Sequence, residues 1–128
     1  MHGPPGAPFE LAVSSAPGDV RVVSLRGELD FEEAPSVSRV LDELRIDGAR
    51  GVVVDLSDLT FIDSSGISVL VAAGRAAASS GGMLVVAAPG SHVRRVFEIV
   101  NLSELVPVDA GLDDALQRIA REREQTAG

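Results

Sequence analysis

The 128-residue sequence contains no cysteine, tryptophan, tyrosine or lysine, and each absence excludes a class of function. Without cysteine there is no disulfide scaffold, no thiolate zinc site and no cysteine nucleophile. The aromatic residues are four phenylalanines, so the sequence offers no platform on which nucleic-acid bases could stack. Without lysine there is no Walker-type phosphate loop, and no Gly-x-Gly-x-x-Gly motif is present.

Long apolar runs are also missing, because no uninterrupted hydrophobic stretch approaches the roughly 18 residues that a membrane span requires. The first residues have neither the cationic start nor the apolar core of a signal peptide, so we expect a cytoplasmic protein. The formal net charge is -8, and an acidic chain with scattered arginines is a poor partner for nucleic acid. The hydrophobic share of 45% indicates a folded globular domain.

The sequence also lacks the sets of residues that catalysis and metal binding require. A serine hydrolase needs a base beside its serine, and the two histidines lie at positions 2 and 92, outside any serine motif. Side chains that bind metals do not cluster at ligand spacing. The sequence therefore predicts a protein that is not an enzyme and that carries no cofactor and no metal.

The apolar pattern predicts one α/β domain at residues 9–122, between a flexible tail at 1–8 and a frayed end at 123–128. A hairpin is followed by three repetitions of strand and helix, which is typical of a mostly parallel sheet with right-handed crossovers. We expect about five strands, the first an antiparallel edge strand, and about four helices. The predicted strands are 9–14, 20–29, 52–56, 83–88 and 105–108, and the helices begin near residues 34, 64, 91 and 112.

The stretch at residues 51–80 carries the most informative motif. A buried strand at 52–56 is followed by a polar turn and then by Asp63-Ser64-Ser65-Gly66, after which apolar residues recur at helical spacing. Two hydroxyls and a glycine are therefore expected at the start of a helix. Unpaired N–H groups and a partial positive charge are found at such a helix start.

Two interpretations of this motif follow from the residues alone. The first is a helix cap, since Asp or Ser at that position stabilises a helix by about 1 kcal/mol. The second is a docking surface, because Gly66 lowers helix stability by roughly 0.5–1 kcal/mol relative to alanine and would let another molecule approach closely. Thr60, Phe61 and Ile62 precede the site and bring apolar groups next to it, which favours docking. The spacing does not choose between Ser64 and Ser65 as a modified residue.

Two motifs together resemble those of a known family. The run Asp55-Leu56-Ser57-Asp58-Leu59-Thr60-Phe61-Ile62-Asp63-Ser64-Ser65-Gly66-Ile67 resembles the signature of the anti-sigma-factor antagonists, the stand-alone STAS domains of bacteria. Gly27-Glu28-Leu29-Asp30 resembles the other landmark of these proteins. The likeness covers about residues 9–120 in the right order of elements, and it implies a single STAS-type domain.

The resemblance implies that Ser64, the first serine of the turn, is phosphorylated by an anti-sigma factor that is itself a serine kinase. The unmodified protein would bind this partner and free a sigma factor for transcription, and the phosphorylated form would release the partner. A serine phosphatase acting on Ser64 would reset the cycle. The residues implied as partner contacts are Asp30, Asp63, Ser65, Gly66 and Ile67.

The expected effect of the phosphate is loss of partner affinity with little change in fold. It adds about -1.5 to -2 charges, which a helix N-terminus tolerates and an interface holding Asp63 and Asp30 does not. From the residues alone, Asp30 is explained as well by a structural role, ending a strand or capping the next helix, as by contact with a partner. Two rival functions remain: a STAS subunit of another signalling or lipid-transport complex without a working switch, and a small enzyme or nucleotide-binding protein. The second rival lacks a lysine and an evident base.

Overall fold

The computed structural model describes residues 8–127 of the chain. The elements are β1 (Glu10–Ala16), β2 (Val20–Leu29), α1 (Ala34–Ile46), β3 (Gly51–Ile62), α2 (Ser64–Ser79), β4 (Met83–Ala87), α3 (Ser91–Ile99), a 3-10 turn (Leu102–Glu104), β5 (Val108–Asp109) and α4 (Leu112–Ala127). The strands form one sheet in the order β1-β2-β3-β4-β5. β1 is antiparallel to β2 and the other pairs are parallel. The predicted α/β fold, with an antiparallel edge strand at its start, is confirmed.

The predicted flexible tail lies outside the described residues, apart from Pro8. Helix α4 continues as far as Ala127, and the predicted fraying of residues 123–128 stays a prediction. The other helices begin where the sequence pattern places them.

The sheet is covered by helices on both faces, and the valine run of β3 shows how. Neighbouring side chains on a strand point to opposite faces. Val54 therefore packs in the larger core with the residues of α1, α2 and α3, whereas Val53 packs in the smaller core with Ala115 and Ile119 of α4. Burial on both faces explains why this strand is a continuous apolar run instead of an alternating one.

Strand β3 is longer than predicted, and this is a correction to the sequence-based boundaries. The prediction ended the strand at residue 56 and placed a polar turn after it, but β3 continues to Ile62. Pairing with β2 shifts register twice, and each shift leaves an extra residue on β3. The buried residues are consequently three apart, at Leu56, Leu59 and Ile62, while Ser57 and Asp58 face solvent. A spacing of three is not the alternation that identifies a strand.

The last strand was predicted at residues 105–108, which is also wrong in its boundaries. β5 consists of Val108–Asp109, and the preceding Leu105 is 51% exposed. Pro107 stands just before the strand, and its carbonyl accepts a hydrogen bond of 2.9 Å from the Val86 amide of β4. A proline has no N–H to donate, which fits its position at the edge of the sheet as predicted.

Candidate functional site

Ser64 is the first residue of α2 and stands at the carboxyl end of β3, the middle strand of the sheet. Its side chain is exposed, whereas the neighbouring Ser65 and Ile67 are half-buried. Of the two serines that the sequence left as alternatives, Ser64 is thus the more open to another molecule.

Asp63 caps helix α2 with one of its carboxylate oxygens. The backbone is extended at this residue, and Oδ1 accepts hydrogen bonds from the Ser65 amide at 2.9 Å and the Gly66 amide at 3.2 Å. The cap interpretation of the motif is therefore confirmed. The same bonds correct the expectation of unpaired amides at this helix start, because two of these amides already have an internal anion as partner.

The other oxygen of Asp63 ties the helix to the loop between β2 and α1. Oδ2 accepts a hydrogen bond of 3.1 Å from the Phe31 amide, and the Asp63 amide donates to the Leu29 carbonyl at 3.2 Å. One carboxylate therefore joins two segments that are 32 residues apart in the chain. Sequence reasoning missed Phe31, since no local pattern connects it to Asp63.

Asp30 shapes the same loop from the other side. Its Oδ1 accepts from the Glu32 amide at 3.1 Å and the Glu33 amide at 3.2 Å, and its carbonyl accepts from the Ala34 amide at 2.8 Å. Asp30 thus ends β2 and closes the turn into α1, as one of the two sequence-based interpretations has it. Its role as a partner contact stays a prediction.

Gly66 is a buried residue in the first turn of α2, and contacts within the domain explain why this position is a glycine. A Cβ at this position would stand 2.8 Å from Leu29 Cγ and 2.8 Å from Ile62 Cγ1, which is closer than carbon atoms pack. The glycine therefore lets the helix start sit on the ends of β2 and β3. This is a different reason from the one the sequence suggested, which was close approach by another molecule.

The surface around Ser64 combines apolar and acidic groups. The Phe31 side chain is 68% exposed beside the Asp63 bond. Phe61, at the end of β3, stacks on His92 at the start of α3, with ring centroids 6.2 Å apart. Acidic side chains are concentrated at the end of β2, in the β2–α1 loop and at the α2 cap, namely Glu28, Asp30, Glu32, Glu33 and Asp63.

The described part of the chain shows no other obvious chemical centre. No group of three or more histidine or acidic side chains within residues 8–127 could hold a metal ion. No helix in the same residues is long and apolar enough to cross a membrane. An apolar cleft of about 530 Å³ lies between the hairpin turn and α4, at Pro17, Val20 and Ile119, and does not include the residues around Ser64.

Comparison with known proteins gives a family and several relatives. The family model described as the STAS domain matches residues 13–115. The anti-sigma-B factor antagonist of Staphylococcus aureus is 31% identical over 91 residues, which cover 71% of this chain and 84% of the relative.

Solved structures show the same likeness. The structure of an anti-sigma factor antagonist from Mycobacterium paratuberculosis matches with a TM-score of 0.80 and 30% identity, covering 88% of this chain and 95% of that one. SpoIIAA of Bacillus has been solved unphosphorylated and phosphorylated. The unphosphorylated form matches with a TM-score of 0.74 and 23% identity over 87% of this chain and 96% of that one. The phosphorylated form matches with a TM-score of 0.67 and 22% identity, covering 86% of this chain and 99% of that one. At these two identities the likeness to SpoIIAA shows the fold alone.

Proposed function

The chain belongs to the STAS domain family, and from this we propose that it is an anti-sigma factor antagonist controlled by phosphorylation of Ser64. The family predicted from the two sequence motifs is thereby confirmed. The relatives named anti-sigma factor antagonists match most of the chain, which supports the general function. The observation that carries the proposal is the exposure of Ser64 at the first position of α2.

In the proposed cycle the chain is a substrate and a binding partner, not the catalyst. An anti-sigma factor with serine kinase activity binds the unmodified protein in the cytoplasm and holds ATP. Ser64 Oγ attacks the γ-phosphorus, the bond from that phosphorus to the bridging oxygen breaks, and ADP leaves with that oxygen while a base of the kinase takes the serine proton. A serine phosphatase later uses water to cleave the phosphoester and returns inorganic phosphate and the free hydroxyl.

The charge around Ser64 explains why phosphorylation would release the partner. The phosphate adds about -1.5 to -2 charges to a surface that already carries Asp63, Asp30 and Glu32. Bringing this phosphate into an interface together with the neighbouring carboxylates costs like-charge repulsion and desolvation, which weakens the complex. The amides of Ser65 and Gly66 can stabilise the phosphate only by leaving the Asp63 carboxylate.

The test uses an anti-sigma factor kinase chosen because it phosphorylates the wild-type chain from ATP. Mass spectrometry of the tryptic peptide should place one phosphate on Ser64, and Ser64→Ala should accept none. Ser65→Ala is the matched control, since it removes the neighbouring hydroxyl, and it should still be phosphorylated. Calorimetry should show that phosphoserine at position 64 weakens binding to the kinase by about 10- to 100-fold. Equal affinity of the two forms would contradict the switch.

A further inference from the structure

All four phenylalanines lie in the described part of the chain, and Phe31 is the exposed one. Phe97 is buried, Phe9 and Phe61 are half-buried, and Phe31 is 68% exposed. Aromatic side chains supply most of the affinity in many interfaces, because they bury a large rigid surface at a small cost in conformational entropy. An exposed aromatic ring in the loop bonded to Asp63, next to the proposed modification site, is therefore a candidate contact for a partner.

The backbone that carries this ring is held in place from both sides. The Phe31 amide donates to Asp63 Oδ2 at 3.1 Å, and the next two amides, of Glu32 and Glu33, donate to Asp30 Oδ1 at 3.1 and 3.2 Å. Asp63 is itself fixed because its other oxygen caps α2. The ring thus starts from a backbone that is fixed relative to Ser64, and such preorganisation lowers the entropic cost of docking.

We propose that Phe31 is the apolar anchor by which the anti-sigma factor kinase docks at Ser64, and that Asp63 is the positioning residue that holds this anchor. The inference rests on the proposed function and describes its partner surface. The exposed Phe31 has Asp30, Glu32 and Glu33 as its neighbours in the loop, so the complementary surface is an apolar pocket with a basic rim facing these carboxylates.

The same carboxylate connects the phosphate to the anchor. A phosphate on Ser64 lies one residue from Asp63 and competes with its Oδ1 for the Ser65 and Gly66 amides, which favour the more negative group. Like-charge repulsion turns the carboxylate away, and the Phe31 amide then loses its acceptor. Phosphorylation therefore loosens the anchor in addition to changing the charge of the surface.

The first experiment measures hydrogen exchange of the Phe31 amide by NMR in the chain alone. Asp63→Asn is the informative variant, because asparagine caps a helix about as well as aspartate but presents an NH₂ group where the Phe31 amide needs an acceptor. A second sample carries phosphoserine at position 64, introduced during translation. We expect the Phe31 amide to exchange about five- to tenfold faster in both samples, the equivalent of one surface hydrogen bond.

The Ile67 amide is the internal control in the asparagine variant, since it donates to the Asp63 backbone carbonyl at 3.1 Å and should keep its protection. If Phe31 exchanges at the wild-type rate in the asparagine variant and in the phosphoserine sample, the role assigned to Asp63 is refuted. This result would leave the proposed function intact.

The second experiment measures phosphorylation kinetics with the kinase that modifies the wild-type chain. Phe31→Ala should raise KM for this chain about 30-fold with kcat unchanged, as expected for a residue that binds without taking part in the chemistry. Asp63→Asn should raise KM in the same direction. Ile46→Ala is the matched control, since Ile46 is 72% exposed at the end of α1, just before the amino end of β3, whereas Ser64 follows the carboxyl end of that strand. That variant should keep the wild-type KM.

The outcomes separate the two proposals. If Phe31→Ala and Ile46→Ala have the same KM while Ser64 is phosphorylated, the anchor is refuted and the proposed function stands. If no anti-sigma factor kinase phosphorylates the wild-type chain on Ser64, the proposed function fails and the docking anchor fails with it.

Discussion

Replacing Gly66 by alanine should destabilise the domain, although alanine is the better helix former. The added Cβ would stand 2.8 Å from both Leu29 Cγ and Ile62 Cγ1, and 3.1 Å from Leu29 Cδ2. Leu29 and Ile62 are buried in the larger core, at 0% and 3% exposure, so neither has free space to move into. The start of α2 must therefore lift off the sheet or the leucine must leave its rotamer.

The size of the effect is a difference between two opposing contributions. Overpacking of a buried contact costs about 1–3 kcal/mol. Alanine in place of glycine in a helix returns at most roughly 0.5–1 kcal/mol. We therefore expect Gly66→Ala to lower the free energy of unfolding by about 0.5–2 kcal/mol.

Gly74 provides a control on the same helix. A Cβ there would meet the Cγ2 methyl group of Val106 at 3.1 Å and its other side-chain carbons at 3.7 Å or more. This contact needs a shift of only a few tenths of an ångström, so the gain in helix propensity should largely offset it. Gly74→Ala should stay within about 0.5 kcal/mol of the wild-type stability.

The assay is urea unfolding followed by far-UV circular dichroism, because the chain has no tryptophan or tyrosine to report by fluorescence. The free energy of unfolding in water is compared for the wild type, Gly66→Ala and Gly74→Ala. A Gly66→Ala protein at least as stable as the wild type would refute the packing argument. Greater damage from Gly74→Ala would refute it equally.

Two further substitutions test contacts outside the site. Arg118 donates from Nε and Nη2 to the two oxygens of Asp109, at 2.7 Å each, and this side-chain hydrogen bonding holds the pKa of Asp109 below its ordinary value. Because the pKa of Asp109 is lower in the folded state, its ionised form stabilises the fold at pH values above the unfolded-state pKa of about 3.9. This stabilisation is lost as the pH falls through the folded-state pKa. Asp109→Asn should therefore lower the free energy of unfolding in urea at pH 7 by about 1 kcal/mol, an effect limited by the half-exposed Arg118. The difference in stability between the variant and the wild type should disappear below pH ~4. A difference that grew there would contradict a stabilising ion pair between Asp109 and Arg118. Leu70 is fully buried where α2 meets the sheet, so Leu70→Ala should lower the free energy of unfolding by about 2–5 kcal/mol. A decrease below ~1 kcal/mol in the same assay would contradict the packing of α2.

Most of the fold could be read from the sequence because its signals are local. The helical spacing after Asp63, the glycines at 81–82 and the β-branched run at 52–54 each depend on residues a few positions apart. The far half of β3 could not be read in this way. Its two extra residues are defined by pairing with β2, and a three-residue spacing of buried side chains has no meaning until that partner strand is known.

The candidate site likewise has local features, which the sequence predicts, and long-range features, which it does not. The cap by Asp63 joins residues two and three apart, so the motif itself predicts it. The bond from the Phe31 amide to Asp63 spans 32 residues, and the crowding around Gly66 involves Leu29 from another strand. Both depend on tertiary packing, which is why sequence reasoning missed Phe31 and missed the internal packing that requires glycine at position 66.

The capping carboxylate also explains how the proposed switch would work without a change of fold. In the unmodified chain the start of α2 already binds an anion, the side chain of Asp63. A phosphate on Ser64 exchanges one anion at the helix N-terminus for another, so we expect the free energy of unfolding to change little. What changes is the hydrogen bonding of the Phe31 amide, which loses its acceptor when the Asp63 carboxylate turns away. The consequence of modification is therefore expected in the loop between β2 and α1, where we propose that the partner docks, and not in the core.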